Sequence, residues 1–257
     1  MRRLLAGIGG NILNACDNTG DALVLLAQSL RDSRSALAHP RRVIEQMKRV
    51  GNDTLLIAAV FALFIGMVLA LQVGNVLDIF NFVTGLPPVV AWSLIKELGP
   101  VLTALLVAGR VGASIAAEVG TMQINEEIDA LHTLGISPVR FLAVPRFIAC
   151  VIMMPVLATY ASAVGIIGGG IVANATFRIG WEAYFDAAFR PLEFGDVVEG
   201  LIVKSALFGA IIAIIACQCG LRTRGGAEGV GKAITSSVVA SFMAIIVCNY
   251  FVTRFML

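Results

Sequence analysis

Runs of apolar residues, broken at intervals by short polar and basic segments, dominate this chain from residue 54 onward. A helix crossing a bilayer needs about 20 apolar residues at 1.5 Å rise each. The uncharged stretch Thr54 to Val73 meets that length between Asp53 and Asp78 and predicts a first span. Pro87 and Pro88 suit a first helical turn, so a second span runs from there to about Glu118. A third begins after Pro138, passes Pro145 and Arg146 and continues uncharged from Phe147 to Phe177. Val197 to Leu221 and Ala233 to Thr253 complete a set of five. Lys204 lies near enough to the start of the fourth to snorkel towards the headgroups.

The predicted fold class is therefore an all-α polytopic membrane protein. Composition agrees: 58% of the 257 residues are hydrophobic and 14% charged, with a mean hydropathy of +0.88, whereas soluble domains carry about 25% charged residues. A net charge of +2 is too small to argue for nucleic acid. Five cysteines and two histidines show neither a disulfide framework nor metal-ligand spacing.

Before the first span, Leu4, Leu5, Ile8 and Ile12 predict a helix lying in the membrane surface, followed by a second stretch from Leu23 to Leu30 and a basic segment from Arg41 to Arg49. A cytosolic amphipathic hairpin fits the same pattern. The Leu13 to Cys16 stretch imitates a lipoprotein signal, but Gly7, Gly9, Gly10, Asn11 and Asn14 interrupt its apolar core and argue against cleavage. The chain reads as one domain over 1–257, with a cytoplasmic or interfacial region at 1–50 and a transmembrane region at 54–253.

The distribution of Lys and Arg orients the spans, because cytoplasmic connections collect them. Thirteen fall on one side, in the N-terminal region, around Arg140 and Arg146, and at Arg222, Arg224 and Lys232; Arg178, Arg190 and Arg254 fall on the other. This places the N-terminus in the cytoplasm and the C-terminus outside. Two ridges of small residues, Ala108, Gly112, Ala116, Gly120 and Ala161, Gly165, Gly169, Ala173, mark close helix contacts within or between chains. The segment from Arg178 to Glu199, with Trp181, Tyr184, Phe185 and Phe189, reads as an interfacial helix on the outer side.

Ionic groups inside spans are expensive and face a cavity, a bundle interior or a partner. The second span holds Lys96, Glu97, Arg110 and Glu118. Arg110 and Glu118 are about 80° apart around the helix and roughly 12 Å apart along it, so each is predicted to pair with another helix. Lys96 and Glu97 sit in the outer half, where they either snorkel or line a lipid entrance. After the span, Asn125 is a favoured N-cap, Glu126, Glu127 and Asp129 suit a positive helix end, and Gly135 with Pro138 stops the helix. Ile124, Ile128 and Leu131 then form an apolar stripe, suited either to a groove in a soluble partner or to the membrane surface. The stretch Gly226 to Lys232 imitates a Walker A loop, but Ala233 stands where Ser or Thr must hold magnesium and no strand precedes it. Its glycines are expected to form a tight turn.

These residues resemble the MlaE/YrbE-type permeases of bacterial Mla lipid-transport systems, a family that also serves actinobacterial Mce systems and chloroplast lipid importers. The likeness rests on KELGPVLTALLVAGRVG from Lys96 to Gly112, AEVGTM from Ala117, EIDAL from Glu127, VPR from Val144, and GGAEGVG from Gly225 followed by AIT from Ala233. It covers nearly the whole chain after Leu37. Lys96 departs mildly from the arginine of many relatives, keeping the charge without the bidentate fork.

The resemblance implies a homodimeric ABC-transporter permease of the bacterial inner membrane, with five spans and an N-terminal interfacial helix. Its partners would be a cytoplasmic ATPase, a periplasmic Mce-domain protein and phospholipids. ATP and magnesium would bind the ATPase, with no cofactor on this chain. Lys96, Glu97, Leu98, Arg110 and Glu118 become translocation candidates, and Glu126, Glu127, Ile128, Asp129 and Leu131 the ATPase-coupling helix. The rival readings are a scaffold anchoring a periplasmic lipid-binding complex, or a lipid transporter working without ATP.

Overall fold

A computed structural model describes residues 20–33 and 40–256; the predicted surface helix at Leu4 to Ile12 lies outside the described residues. Among those described, the chain is helical throughout with no strand. A short helix α1 (20–33) precedes α2 (Pro40–Ile79), α3 (Val83–Ile124), α4 (Glu127–Thr133), α5 (Val139–Phe177), α6 (Trp181–Phe189), α7 (Phe194–Leu221) and α8 (Gly226–Met256). Five of these, α2, α3, α5, α7 and α8, are long and apolar enough to cross a membrane.

The first span is not separate from the basic segment before it. Arg41 to Arg49 and Thr54 to Val73 lie on one continuous helix of 40 residues, because no proline or left-handed residue intervenes. Asn81 (φ 53°), Glu126 (φ 61°) and Arg178 (φ 56°) mark where α2, α3 and α5 give way to turns. The glycine-rich stretch after α7 is also tighter than expected. The reversal is confined to the residues around Gly225 and Gly226, at φ 91° and 69°, while Gly229, Gly231 and Lys232 are already in α8.

Small residues set the packing, since lipid gives helices no hydrophobic drive to associate. A Cβ on Gly66 of α2 would lie 1.9 Å from the Gly165 carbonyl oxygen of α5, so these two backbones touch. On the other side of α5, a Cβ on Gly209 of α7 would meet the Cys150 oxygen at 2.6 Å. Both predicted ridges are used within the chain: Gly165 and Gly169 face α2 and α3, and Gly112 and Gly120 face α7 and the turn after it. Helix α5 is thus central, packed on α2, α3 and α7, while α8 packs on α3 and α7. The outermost spans, α2 and α8, leave Leu56, Phe64, Met243 and Phe255 projecting from the bundle.

The predicted interfacial segment at Arg178 to Glu199 divides. Its first part, α6, packs on the bundle rather than only lying in the interface. Tyr184 is 1% exposed and donates its hydroxyl hydrogen to the Ile166 carbonyl at 3.1 Å. Burial pushes that phenol up to about 12. Its second part begins α7, where Asp196 accepts the Glu193 backbone N–H at 3.3 Å and starts a new helix.

Four of the spans' turns are π-helical: Leu94–Leu98, Ala108–Gly112, Val139–Ala143 and Val198–Lys204. Each inserts one residue into the α-helical ladder, a distortion that concentrates at functional sites. Each also carries a basic residue: Lys96, Arg110, Arg140 and Lys204.

Candidate functional site

The first π turn of α3 presents Lys96, Glu97 and Leu98 in three directions. Glu97 accepts an ion pair from Lys204 of α7 at 2.8 Å, the hydroxyl hydrogen of Thr253 at 2.7 Å and the amide of Asn249 at 3.2 Å, both from α8. Lys204 also donates to the Lys96 carbonyl at 3.2 Å, an oxygen within the π turn. Its side chain is 1% exposed, so it does not snorkel: the π turn Val198–Lys204 leaves it facing Glu97. Lys96 turns the other way, to Asp196 at 2.5 Å and Glu199 at 3.7 Å. Leu98 faces neither network.

Leu98 instead borders a groove of about 700 Å³ on the outer face of α2, with Leu56, Val60, Phe61, Phe64 and Val68. Its wall is apolar apart from Gln72 at one end. A second cavity, of about 620 Å³, lies near the α4 end between α7 and α8. Arg224 and Lys232 stand at its polar rim, and Ala240 and Ala244 line it more deeply.

At the α4 end, α3 is held to α2 and α5 by a second network. Arg110 donates to the Thr54 hydroxyl at 2.7 Å and pairs with Asp53 at 3.5 Å, both on α2. The Thr54 hydroxyl passes its own hydrogen to the Val50 carbonyl at 2.6 Å. Glu118 takes two arginines, Arg49 of α2 at 3.2 Å and Arg146 of α5 at 3.0 Å. Arg110 and Glu118 thus pair with other helices and not with each other, as their spacing predicts. Arg49, Asp53, Thr54, Arg146, Asn249 and Thr253 are not among the site residues predicted from the sequence. The available signal was the four-residue spacing of Asn249 and Thr253 on one face of the last span.

Between α3 and α5, α4 is built differently from its sequence pattern. Asn125 is not its N-cap but closes α3, its N–H directed to the Thr121 carbonyl at 3.0 Å, and Glu126 takes the left-handed position before the helix. Ile128 is buried and Leu131 packs on the same core, so the apolar stripe faces the subunit itself. What α4 turns outward is Glu126, Glu127 and Asp129, with Leu134 and Ile136 just beyond.

Comparison with known proteins agrees with this architecture. The family model of permease MlaE matches residues 43–255. A probable ABC transporter permease of Synechocystis is 41% identical over 216 residues, covering 84% of this chain and 82% of the relative. A probable ABC transporter permease of Rickettsia felis is 40% identical over 254 residues, covering 95% and 98%. The chloroplast protein TRIGALACTOSYLDIACYLGLYCEROL 1 of Arabidopsis thaliana is 36% identical over 217 residues, covering 84% of this chain and 62% of the plant protein. The family model spans five apolar helices and the charged turns between them, and on that match this chain belongs to the MlaE permease family of multi-pass membrane proteins.

Proposed function

We propose that this permease moves phospholipid between the bacterial inner membrane and a periplasmic Mce-domain carrier, working as a homodimer, and so maintains outer-membrane lipid asymmetry. The observation that carries the reading is the groove along α2. Its apolar wall suits acyl chains, and Gln72 gives it a polar residue at one end. Such a pairing of apolar wall and polar end matches an amphipathic ligand. The basic rim of the cavity between α7 and α8 suits a phosphate in the same way. A chloroplast relative bears the name of a galactolipid, which favours lipid over a water-soluble cargo.

The chain is the non-catalytic subunit, and ATP is hydrolysed by a separate ATPase seated on α4. Exposed Glu127 and Asp129 supply the contact, and the adjoining end of the bundle, rich in Arg49, Arg140, Arg222 and Arg224, is cytoplasmic by the positive-inside rule. With five spans the C-terminus is periplasmic. Purification of the tagged chain from its native membrane, with mass spectrometry of bound proteins and lipids, tests this. An ATPase, an Mce-domain protein and enriched phospholipid support it; a chain that carries lipid and a periplasmic protein but no ATPase would favour the scaffold.

A further inference from the structure

The cavity of about 620 Å³ between α7 and α8 differs from the groove on α2 in being basic at one end. On α8 it follows Ala233, Ser236, Ala240 and Ala244, which fall within about 80° of the helix circumference. Side chains this short leave a channel against Ile215 of α7. The charge is confined to the α4 end. Arg224 and Lys232 stand there beside Arg222, and Gln218, 8% exposed, lines the wall one turn before Arg222. A Cβ at Gly229 would lie 2.0 Å from the Arg224 carbonyl oxygen, so the turn that presents Arg224 closes tightly on the start of α8. Arg222 is engaged by Asp21 of α1, and Lys232 by Glu228 through an exposed pair at 2.7 Å, a weak kind of contact. Three cations against two carboxylates leave the mouth with an excess of positive charge. From Lys232 to Ala244 the helix rises about 18 Å, close to one leaflet of a bilayer whose hydrocarbon core is about 30 Å thick. A charged mouth on an apolar channel one leaflet deep fits a lipid. The excess positive charge fits a phosphodiester whose headgroup has no amine to neutralise it.

We propose that this cavity is a second lipid site, separate from the groove on α2, which holds an anionic phospholipid of the cytoplasmic leaflet. Its phosphate rests on Arg224 and Lys232, and an acyl chain lies along Ala240 and Ala244. The site rests on the reading that the α4 end is cytoplasmic, but not on the transport of lipid. Its occupant acts as a strut. At the outer end, α8 is tied to α3 through Asn249 and Thr253 on Glu97; at the α4 end, the lipid joins α8 to α7.

The test applies native mass spectrometry and thermal unfolding to the full chain in delipidating detergent, with phosphatidylglycerol, phosphatidylcholine or inorganic phosphate added back. Wild type, R224Q/K232Q and A240L are compared. Phosphatidylglycerol is expected to raise the unfolding temperature of wild type by about 5 °C, phosphatidylcholine by much less and phosphate not at all. Loss of two cations should weaken phosphatidylglycerol binding about 30-fold in R224Q/K232Q. Both residues are exposed, so that variant should unfold like wild type when no lipid is added. A240L obstructs the channel and should lower retention of the same lipid with the basic mouth intact. Equal shifts from the two lipids, the same shift from phosphate alone, or undiminished binding in both variants would each overturn the site. Loss of dimers in A240L with lipid retained would give the channel to a second copy of the chain and overturn it too. If phosphatidylglycerol binds as expected but the chain assembled with its ATPase moves no lipid, the site stands and the transport reading fails.

Discussion

Lys204 and Glu97 meet at 2.8 Å with the lysine side chain 1% exposed, which makes an ion pair between α3 and α7 one of the most enclosed charge contacts in the bundle. A buried pair is no strong source of stability in itself, yet removing one member leaves the other uncompensated, at about 3–5 kcal/mol. Lys204→Met is therefore expected to lower the thermal unfolding temperature in detergent markedly. Thr253→Val removes one neutral donor from the same carboxylate and should cost about 1 kcal/mol. Similar shifts for the two variants would mean that the pair is not what holds this end of α3.

The outward acids of α4 and its inward apolar residues should separate assembly from folding. Glu127→Lys or Asp129→Lys is expected to abolish co-purification of the ATPase while membrane insertion and thermal stability stay near wild type. Ile128→Ser acts on the other face, placing a hydroxyl in a core position that is 4% exposed, and should destabilise the subunit by about 2–4 kcal/mol. Unchanged ATPase recovery with both charge reversals would remove α4 from the contact.

Replacing Glu97 or Arg110 with Gln should leave the complex assembled and impair transport, read as lost outer-membrane barrier function in cells. Normal barrier function in both variants would show that these two networks are structural alone.

Gly66 offers a steric test that involves no charge. Gly66→Ala puts a methyl 1.9 Å from a backbone oxygen, which neither helix can relieve without separating. The expected cost is about 1–3 kcal/mol, seen as reduced accumulation and a lower unfolding temperature. Gly231→Ala, with open space around it, is the matched control and should be neutral or slightly stabilising.

Tyr184 gives a pH dependence with a definite sign. Its phenol ionises at about 12 in the folded chain against 10.0 ordinarily. The unfolded chain therefore loses this proton first, and the tyrosine's contribution is complete below pH 10 and lost as pH rises towards 12. Comparing wild type with Tyr184→Phe isolates the effect: the difference between their stabilities should shrink over that interval and be flat below it.

Hydropathy made the five spans legible because length in apolar residues is a local property, and the in-span charges were legible for the same reason. Their partners were not. Glu118 finds Arg49 and Arg146 from positions 69 residues before it and 28 after it, and no periodicity encodes which helices become neighbours. Lys204 looked like a headgroup lysine because it stands near the end of an apolar run, and only the π turn beneath it directs it inward. Ile128 and Leu131 show the opposite limit. Their spacing defines a helix face, yet an inward-packed face and a docking face are written with the same residues.

The π turns also decide where residue counting within α3 is unforgiving. An extra residue in a turn shifts the helix beyond it by about 100° relative to an unbroken α-helix. Deleting one residue from Leu94–Leu98 would let the regular ladder close with the remainder of α3 where it already stands, whereas deleting one from the α-helical stretch Gly99–Val107 would turn everything beyond it by about 100°. Glu97 and Arg110 could not then both keep their partners on α7 and α2. The α-helical stretch between these two charges behaves as a calibrated length, in which a substitution can be absorbed but a one-residue deletion cannot.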